Sequence, residues 1–135
     1  MTRKEAREET FILIFEKEFN GDSLEDVLDL AVQVRDITPD DYIKNTFFGV
    51  FSCIDELDAI ISECAVGWSI KRISKTALAV LRLAIYEMLK VDEIPVSVSI
   101  NEAVELCKKY ATKEDASFVN GILATVSKRA ENVGE

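Results

Sequence analysis

The sequence predicts an all-α protein of six or seven helices in two halves, which meet near Gly67. Apolar residues recur at intervals of three and four along almost the whole chain, which is the spacing of amphipathic helices. Only 5 glycines and 2 prolines interrupt a 135-residue chain that is 48% hydrophobic, and this favours a folded helical protein. We expect one domain over residues 1–135, with an N-terminal helical half at 1–67 and a C-terminal helical half at 68–135.

Start signals divide the N-terminal half into three helices. Thr2 and Glu5 have the spacing of a capping box, in which each side chain accepts a hydrogen bond from a free backbone amide. Ser23 is a suitable N-cap for the second helix. The pair at 38–39, Thr-Pro, predicts the start of a third helix, because proline is well tolerated at the first helical position. This third helix is predicted to continue to Gly67.

The C-terminal half follows the same logic. A short turn containing Trp68 leads into a helix with a regular apolar stripe over 77–88, and Pro95 interrupts the helical pattern. Residues 99–102, Ser-Ile-Asn-Glu, form a second predicted capping box before the next helix. A last helix carries apolar residues over 118–126.

Residues 94–99 are the only competing strand signal. They alternate apolar and polar side chains and include β-branched residues. The segment is short, contains Pro95 and has no evident partner strand. We therefore interpret it as an extended linker.

The residue types argue against catalysis, metal binding and a membrane location. The chain has no histidine, and Cys53, Cys64 and Cys107 are widely spaced with no C-x-x-C pair. No glycine-rich phosphate loop occurs. We therefore predict no enzyme activity, no metal and no cofactor. No apolar run approaches the ~20 residues that span a bilayer, and the charged N-terminus does not resemble a signal peptide, so we expect a cytoplasmic protein.

Charge is distributed unevenly along the chain, whose net charge is −9. Residues 1–7 have a net charge of +2, residues 8–63 a net charge of −12, and residues 64–135 a net charge of +1. Screening limits surface electrostatics to ~8 Å at physiological salt, so a basic N-terminal tip remains able to contact phosphates. The simpler interpretation is that an acidic surface keeps the protein dissolved.

Three features are candidates for binding nucleic acid. Arg3, Lys4 and Arg7 project from one side of the first helix, where they either grip phosphates or form an ordinary solvated helix start. Gly121 stands inside the last helix at a cost of ~1 kcal/mol, so it permits either close helix packing or the approach of a ligand. Arg82 lies beside a core stripe and either extends its head to solvent or presents it to a phosphate or base.

These features occur in an ordered series that resembles the NusB family over nearly the whole chain. The series is Ala6-Arg7-Glu8, Gly49-Val50, Leu57-Asp58, Trp68, Leu81 to Glu87, Ile94-Pro95-Val96, Ile100 to Leu106 and Phe118 to Leu123. The resemblance implies two packed helical bundles that bind boxA-type RNA together with NusE, which is also a ribosomal protein. It implies that the pair helps RNA polymerase to read through terminators, notably in ribosomal RNA operons.

The resemblance also implies site residues. The RNA-facing set is Arg3, Lys4, Arg7, Phe15, Arg82, Ser117 and Phe118. Cations would bind phosphates and aromatic rings would stack on unstacked bases. We expect the cationic helix end, Arg82 and Phe118 to form a single patch. Because Glu5, Glu8 and Glu9 dilute the basic tip, we expect weak RNA affinity without NusE.

The partner-facing surface departs from the family pattern. Ala77 and Leu78 stand where relatives often carry an acidic–basic pair. The resemblance implies NusE contacts at Ile73, Thr76, Ala77 and Val80, but an exposed apolar surface there would equally suit a homodimer. Two further alternatives remain open. One is a protein-interaction module without RNA binding, and the other is a relative of the RNA-binding domains fused to ribosomal RNA methyltransferases. The second is disfavoured because no glycine-rich cofactor domain follows before Glu135.

Overall fold

Within residues 1–134, seven α-helices joined by short turns make up most of the chain. The computed structural model describes the backbone of residues 1–134 and the side chains of residues 1–129. The helices are α1 (Arg3–Glu18), α2 (Leu24–Arg35), α3 (Asp41–Ser52), α4 (Ile54–Cys64), α5 (Lys75–Lys90), α6 (Val96–Tyr110) and α7 (Lys113–Gly134), with a 3₁₀ turn at Ile70–Arg72. The described residues contain no strand, and the predicted all-α fold is confirmed.

The first two predicted helix starts are confirmed. The Thr2 hydroxyl accepts a hydrogen bond from the Glu5 amide at 3.1 Å, and the Glu5 carboxylate accepts one from the Thr2 amide at 3.0 Å. The backbone hydrogen bond from Thr2 is the main reason that the pKa of Glu5 lies below its usual value. Ser23 caps α2 by accepting from the Asp26 amide at 3.1 Å.

The third predicted helix is wrong in two respects. It begins at Asp41 rather than at Pro39, because the Asp40 carboxylate caps it by accepting from the Ile43 amide at 2.9 Å. Aspartate is a better N-cap than threonine. The helix also does not run unbroken to Gly67. Cys53, with φ −127° and ψ 28°, separates α3 from α4.

The extended linker predicted at 94–99 is also wrong, because α6 begins at Val96 with Pro95 as its N-cap residue. The capping box predicted at 99–102 therefore does not form. Ser99 lies within α6, is buried, and donates its hydroxyl hydrogen to Glu87 at 2.8 Å. Burial against α5 outweighs the β-tendency of the alternating sequence.

Helix α5 lies at the centre of the molecule and contacts α1, α3, α4, α6 and α7. Every residue from 77 to 85 is buried, including Arg82. The buried apolar residues of both halves form one continuous core around this helix. Two arginines are buried in this core. Arg7 extends from α1 to Glu87 on α5, and Arg82 extends from α5 to Asp58 and Glu18. None of the described helices is long and apolar enough to cross a membrane.

Candidate nucleic-acid interface

The tip of α1 carries two exposed cations. The Arg3 guanidinium lies over the Tyr42 ring, with its central carbon 4.4 Å from the ring centroid. Among the side chains that the structure describes, Arg3 makes no salt bridge. Lys4 is 67% exposed, and its ammonium lies 3.4 Å from the Glu102 carboxylate. Such an exposed pair is weak, so both cations are available to an anionic ligand.

Arg7, by contrast, is buried. It is 5% exposed, and its Nε donates to Glu87 Oε2 at 2.8 Å. Burial opposes the charge of Arg7, but the hydrogen bond and the attraction of Glu87 outweigh it, and the pKa of Arg7 is raised. The same carboxylate accepts hydrogen bonds from the hydroxyls of Tyr42 and Ser99. One carboxylate on α5 thus joins α1, α3 and α6.

Tyr42 remains protonated because of this arrangement. Burial is the main cause that raises its pKa, followed by the negative charge of Glu87. The phenol therefore stays a hydrogen-bond donor throughout the usual pH range. No local sequence pattern indicates this role, since Tyr42 and Glu87 are 45 positions apart.

Arg82 is held in a second buried ion cluster. Its Nε and Nη2 donate to the two Asp58 oxygens, both at 2.9 Å, and its Nη1 donates to Glu18 at 2.8 Å. The Arg82 residue is 7% exposed. Burial opposes its charge, but the hydrogen bonds that it donates to Asp58 and Glu18 outweigh burial and raise the pKa of Arg82. An RNA phosphate would have to displace at least one of these carboxylates to reach Arg82.

The aromatic members of the predicted set lie in two places. Phe118 is half-buried and packs edge-on against Trp68, with ring centroids 6.0 Å apart. Trp68 is 52% exposed, and beside this pair is a hollow of about 160 Å³. Phe15 is half-buried between Phe11 and Phe19, at centroid distances of 6.3 and 5.0 Å. Ser117 is exposed next to Phe118.

These groups do not form the single patch that the sequence led us to expect. Arg3 lines a groove with Lys90, at the C-terminal end of α5, whereas Phe118 lines the hollow beside Ser74, just before α5 begins. At ~1.5 Å per residue, the 16 residues between those positions span ~24 Å. Arg82 lies near the middle of this distance, in the interior.

Gly121 does not serve close helix packing. A Cβ placed on it would meet no atom within 4 Å, and the residue is exposed. Of the two interpretations that the sequence left open, only clearance for an approaching ligand remains compatible with this geometry. The open surface lies one helical turn from Phe118.

The exposed apolar surface expected over 73–80 is absent, and that expectation is wrong. Ala77 and Val80 have 0% exposure and Ile73 has 5%, because this side of α5 faces the core. Thr76 is half-buried. The regular apolar spacing of α5 continues through these positions, so they pack as core rather than as a partner surface.

Groups for metal or redox chemistry are not gathered at these sites. The side chains that the structure describes contain no cluster of three or more potential metal ligands. The three cysteines are free, and burial raises the pKa of Cys107 to about 12, so its thiol is protonated and unreactive.

Comparison with known proteins assigns this arrangement to a family. The model of the NusB family matches residues 4–128. The chain belongs to the NusB family. Transcription antitermination protein NusB of Ruminiclostridium cellulolyticum is 44% identical over 95% of this chain and 90% of its own length.

Solved NusB structures share the fold described above. NusB of T. maritima is 32% identical and superposes with a TM-score of 0.84 over 95% of this chain and 92% of that one. A crystal structure of antitermination factors NusB and NusE in complex with dsRNA contains a chain that is 27% identical, with a TM-score of 0.85 over 94% of this chain and 96% of that one. The family assignment thus covers both halves of this NusB-family chain.

Proposed function

We propose that this NusB-family chain is a transcription antitermination factor that binds boxA-type single-stranded RNA jointly with NusE and catalyses no reaction. Its membership of the family and its likeness to the NusB chain solved with NusE and dsRNA support this function. The observation that carries the RNA assignment is Arg3, an exposed guanidinium that lies over a tyrosine ring at the tip of α1 and has no carboxylate partner among the described side chains. Its bonding capacity is free for a phosphate.

Arg3 and Lys4 are proposed as the first phosphate contacts. Both are exposed, and Lys4 gives up only a weak surface pair with Glu102 when it binds RNA. Most RNA affinity that is independent of sequence comes from such cations. Because residues 8–63 have a net charge of −12, we propose that NusE supplies much of the remaining affinity.

The other proposed RNA contacts divide into buried residues and residues at or near the surface. Arg7 and Arg82 are buried in ion pairs, so they would contact RNA only if those pairs opened. Phe15, Ser117 and Phe118 lie at or near the surface and need no such rearrangement. An RNA strand running along α5 from Lys90, near Arg3, to Ser74, near Phe118, would cover ~24 Å. This is about seven nucleotides at a rise of ~3.4 Å per nucleotide, the value for duplex DNA.

We further propose that the complex acts on RNA polymerase in the cytoplasm, where ribosomal RNA operons are transcribed. Self-association through residues 73–80 is not proposed, because Ala77 and Val80 have no exposed surface. A partner of the NusE type would instead find exposed apolar surface at Trp68.

The experiment compares Arg3→Gln with Arg129→Gln. Arg129 is an exposed arginine on α7, and it pairs with Glu63, near the C-terminal end of α4, at 2.6 Å. Binding of labelled boxA RNA is titrated at two salt concentrations, with and without NusE. Arg3→Gln should weaken binding and reduce the slope of log affinity against log salt by ~0.7, the value for one phosphate contact on a single strand. Arg129→Gln should change neither.

Two results would contradict the proposal. If the unaltered protein with NusE shows no boxA-selective binding at low salt, the antitermination function is wrong. If binding occurs but Arg3→Gln and Arg129→Gln behave alike, the tip of α1 is not the phosphate site. Circular dichroism of each variant tests that its helices are intact.

A further inference from the structure

We infer that a groove between the tip of α1, helix α3 and the end of α5 is a nucleotide subsite that holds one unstacked base of the bound RNA. The inference rests on the proposed function, because it extends the RNA path beyond Arg3. The groove has a volume of about 310 Å³, at the lower end of small-ligand pockets. Its walls include Arg3, Tyr42, Asn45, Thr46, Tyr86 and Lys90.

A glycine in α3 makes one wall of this groove possible. A Cβ on Gly49 would lie 2.1 Å from the Tyr86 hydroxyl oxygen and 2.4 Å from the ring carbon that bears it. Glycine weakens a helix interior, so its presence there requires a compensating use. Here it allows the Tyr86 ring to lie against α3. Gly49 therefore sets the position of an aromatic wall.

Two polar groups that line the groove, on Asn45 and Tyr86, are not used by the described part of the fold. Among the described side chains, neither the Asn45 amide nor the Tyr86 hydroxyl makes a hydrogen bond, and Asn45 is exposed. The carboxylates of Asp41 and Glu93 also line the groove. An amide offers donors and acceptors, a phenol offers one of each, and a carboxylate only accepts. This set matches the edge of a base with an exocyclic amino group.

Two cations, Arg3 and Lys90, line the groove and are proposed to contact the phosphates on either side of the bound base. Arg3 is fixed over Tyr42 and has no carboxylate partner among the described residues. Lys90 is exposed and holds Glu56 only loosely, at 3.4 Å. Because Asp41 and Glu93 offset these two charges, the groove as a whole is close to neutral. Affinity within it must therefore come from uncharged contacts with the base.

A nucleotide fits these groups better than a protein side chain does. The anchors of protein interfaces are large apolar or aromatic side chains seated in desolvated pockets. This groove instead combines the half-buried Tyr86 ring, an unbonded Asn45 amide and the Arg3 guanidinium stacked on Tyr42, and such aromatic, polar and cationic groups together bind unstacked RNA bases. It is also continuous with the proposed phosphate site through Arg3.

The test uses the full chain with NusE and boxA RNA, and compares Asn45→Ala and Tyr86→Phe with Gln33→Ala. Gln33 is an exposed polar residue on α2, away from the groove. Each groove variant removes one neutral hydrogen-bonding group, so RNA affinity should fall roughly three- to tenfold. The salt slope should stay unchanged because no cation is lost. Gln33→Ala should bind like the unaltered protein.

Ultraviolet cross-linking followed by mass spectrometry provides a second measurement. A base seated in the groove should give adducts on peptides that contain Tyr42 or Tyr86. If RNA binds normally to both variants and adducts form only elsewhere, the subsite is wrong while the proposed function stands. If the variants weaken NusE binding in the absence of RNA, the groove holds protein and the inference is overturned. Absence of RNA binding by the unaltered complex would instead refute the proposed function.

Discussion

Replacement of Arg7 by methionine should strongly destabilise the folded protein. Arg7 and Glu87 form an ion pair at 2.8 Å with side-chain exposures of 6% and 1%. Methionine fills most of the space but leaves the Glu87 carboxylate buried without its cation. The hydroxyls of Tyr42 and Ser99 remain as its close donors. Breaking a buried pair in this way costs about 3–5 kcal/mol of the free energy of unfolding.

This loss is large enough to measure directly. Globular proteins gain ~2.1 cal/mol/K of unfolding entropy per residue, so a chain of 135 residues gains ~0.28 kcal/mol/K. A loss of 3–5 kcal/mol then lowers Tm by roughly 11–18 °C. Since domains of this size are stable by only about 5–15 kcal/mol, the variant should be folded but visibly weakened.

Urea unfolding at pH 7, followed by circular dichroism, measures the effect. Arg129→Met is the matched control, because its pair with Glu63 has an N–O distance of 2.6 Å but side-chain exposures of 49% and 58%. Its loss should leave the urea unfolding curve almost unchanged, because an exposed ion pair adds little stability. Tyr42→Phe keeps the ring and removes one donor to Glu87, with an expected cost of about 1–3 kcal/mol.

Equal stability losses for Arg7→Met and Arg129→Met would refute this reasoning, because burial would then make no difference. The double variant, in which Arg7 and Glu87 are both methionine, gives an independent answer. Its loss in free energy of unfolding should be smaller than the sum of the two single losses, since no unpaired charge remains. A reduced RNA affinity of an Arg7 variant is evidence of an RNA contact only if its folding is intact.

Two further predictions concern Gly49 and Glu18. Gly49→Ala should destabilise the protein by about 1–3 kcal/mol in urea unfolding, because the new methyl overlaps the Tyr86 ring; a gain in stability would mean that Tyr86 swings away freely. Burial raises the pKa of Glu18, but the hydrogen bonds from Arg82 and Lys75 outweigh it and lower the pKa below 4.5. Stability from this carboxylate is therefore complete above its unfolded pKa and is lost as pH falls through the lower, folded pKa. Urea unfolding from pH 7 to pH 3 should show a shallower acid loss for Glu18→Gln, and parallel curves would contradict this.

The helical fold could be predicted from the sequence because its signals are local. The Thr2–Glu5 capping box and the Ser23 cap each lie within four residues, and both form as expected. The errors arose where distant contacts outweighed local preference. The spacing around Ser99 predicts an N-cap, but Ser99 is buried and donates a hydrogen bond to Glu87. Cys53 separates two helices although the apolar stripe continues past it.

The candidate site was less predictable, for the same reason. The sequence shows the cations but not which carboxylates pair with them. Arg82 pairs with Asp58 and Glu18, which are 24 and 64 residues away along the chain. The family resemblance implies partner contacts at Ala77 and Val80, whereas the packing of α5 shows that both residues face inward. Gly49 belongs to the family pattern, but its structural role depends on Tyr86, which is 37 positions away along the chain.

The carboxylate of Glu87 accepts from α1, α3 and α6 while belonging to α5, and so it ties together the two halves of the chain. This has a consequence for chimeric proteins. A hybrid that joins the first 67 residues of one relative to the remainder of another would inherit Arg7 and Tyr42 from one parent and Glu87 and Ser99 from the other. Such hybrids should express in folded form only when the parents agree at these four positions, however well their apolar cores match.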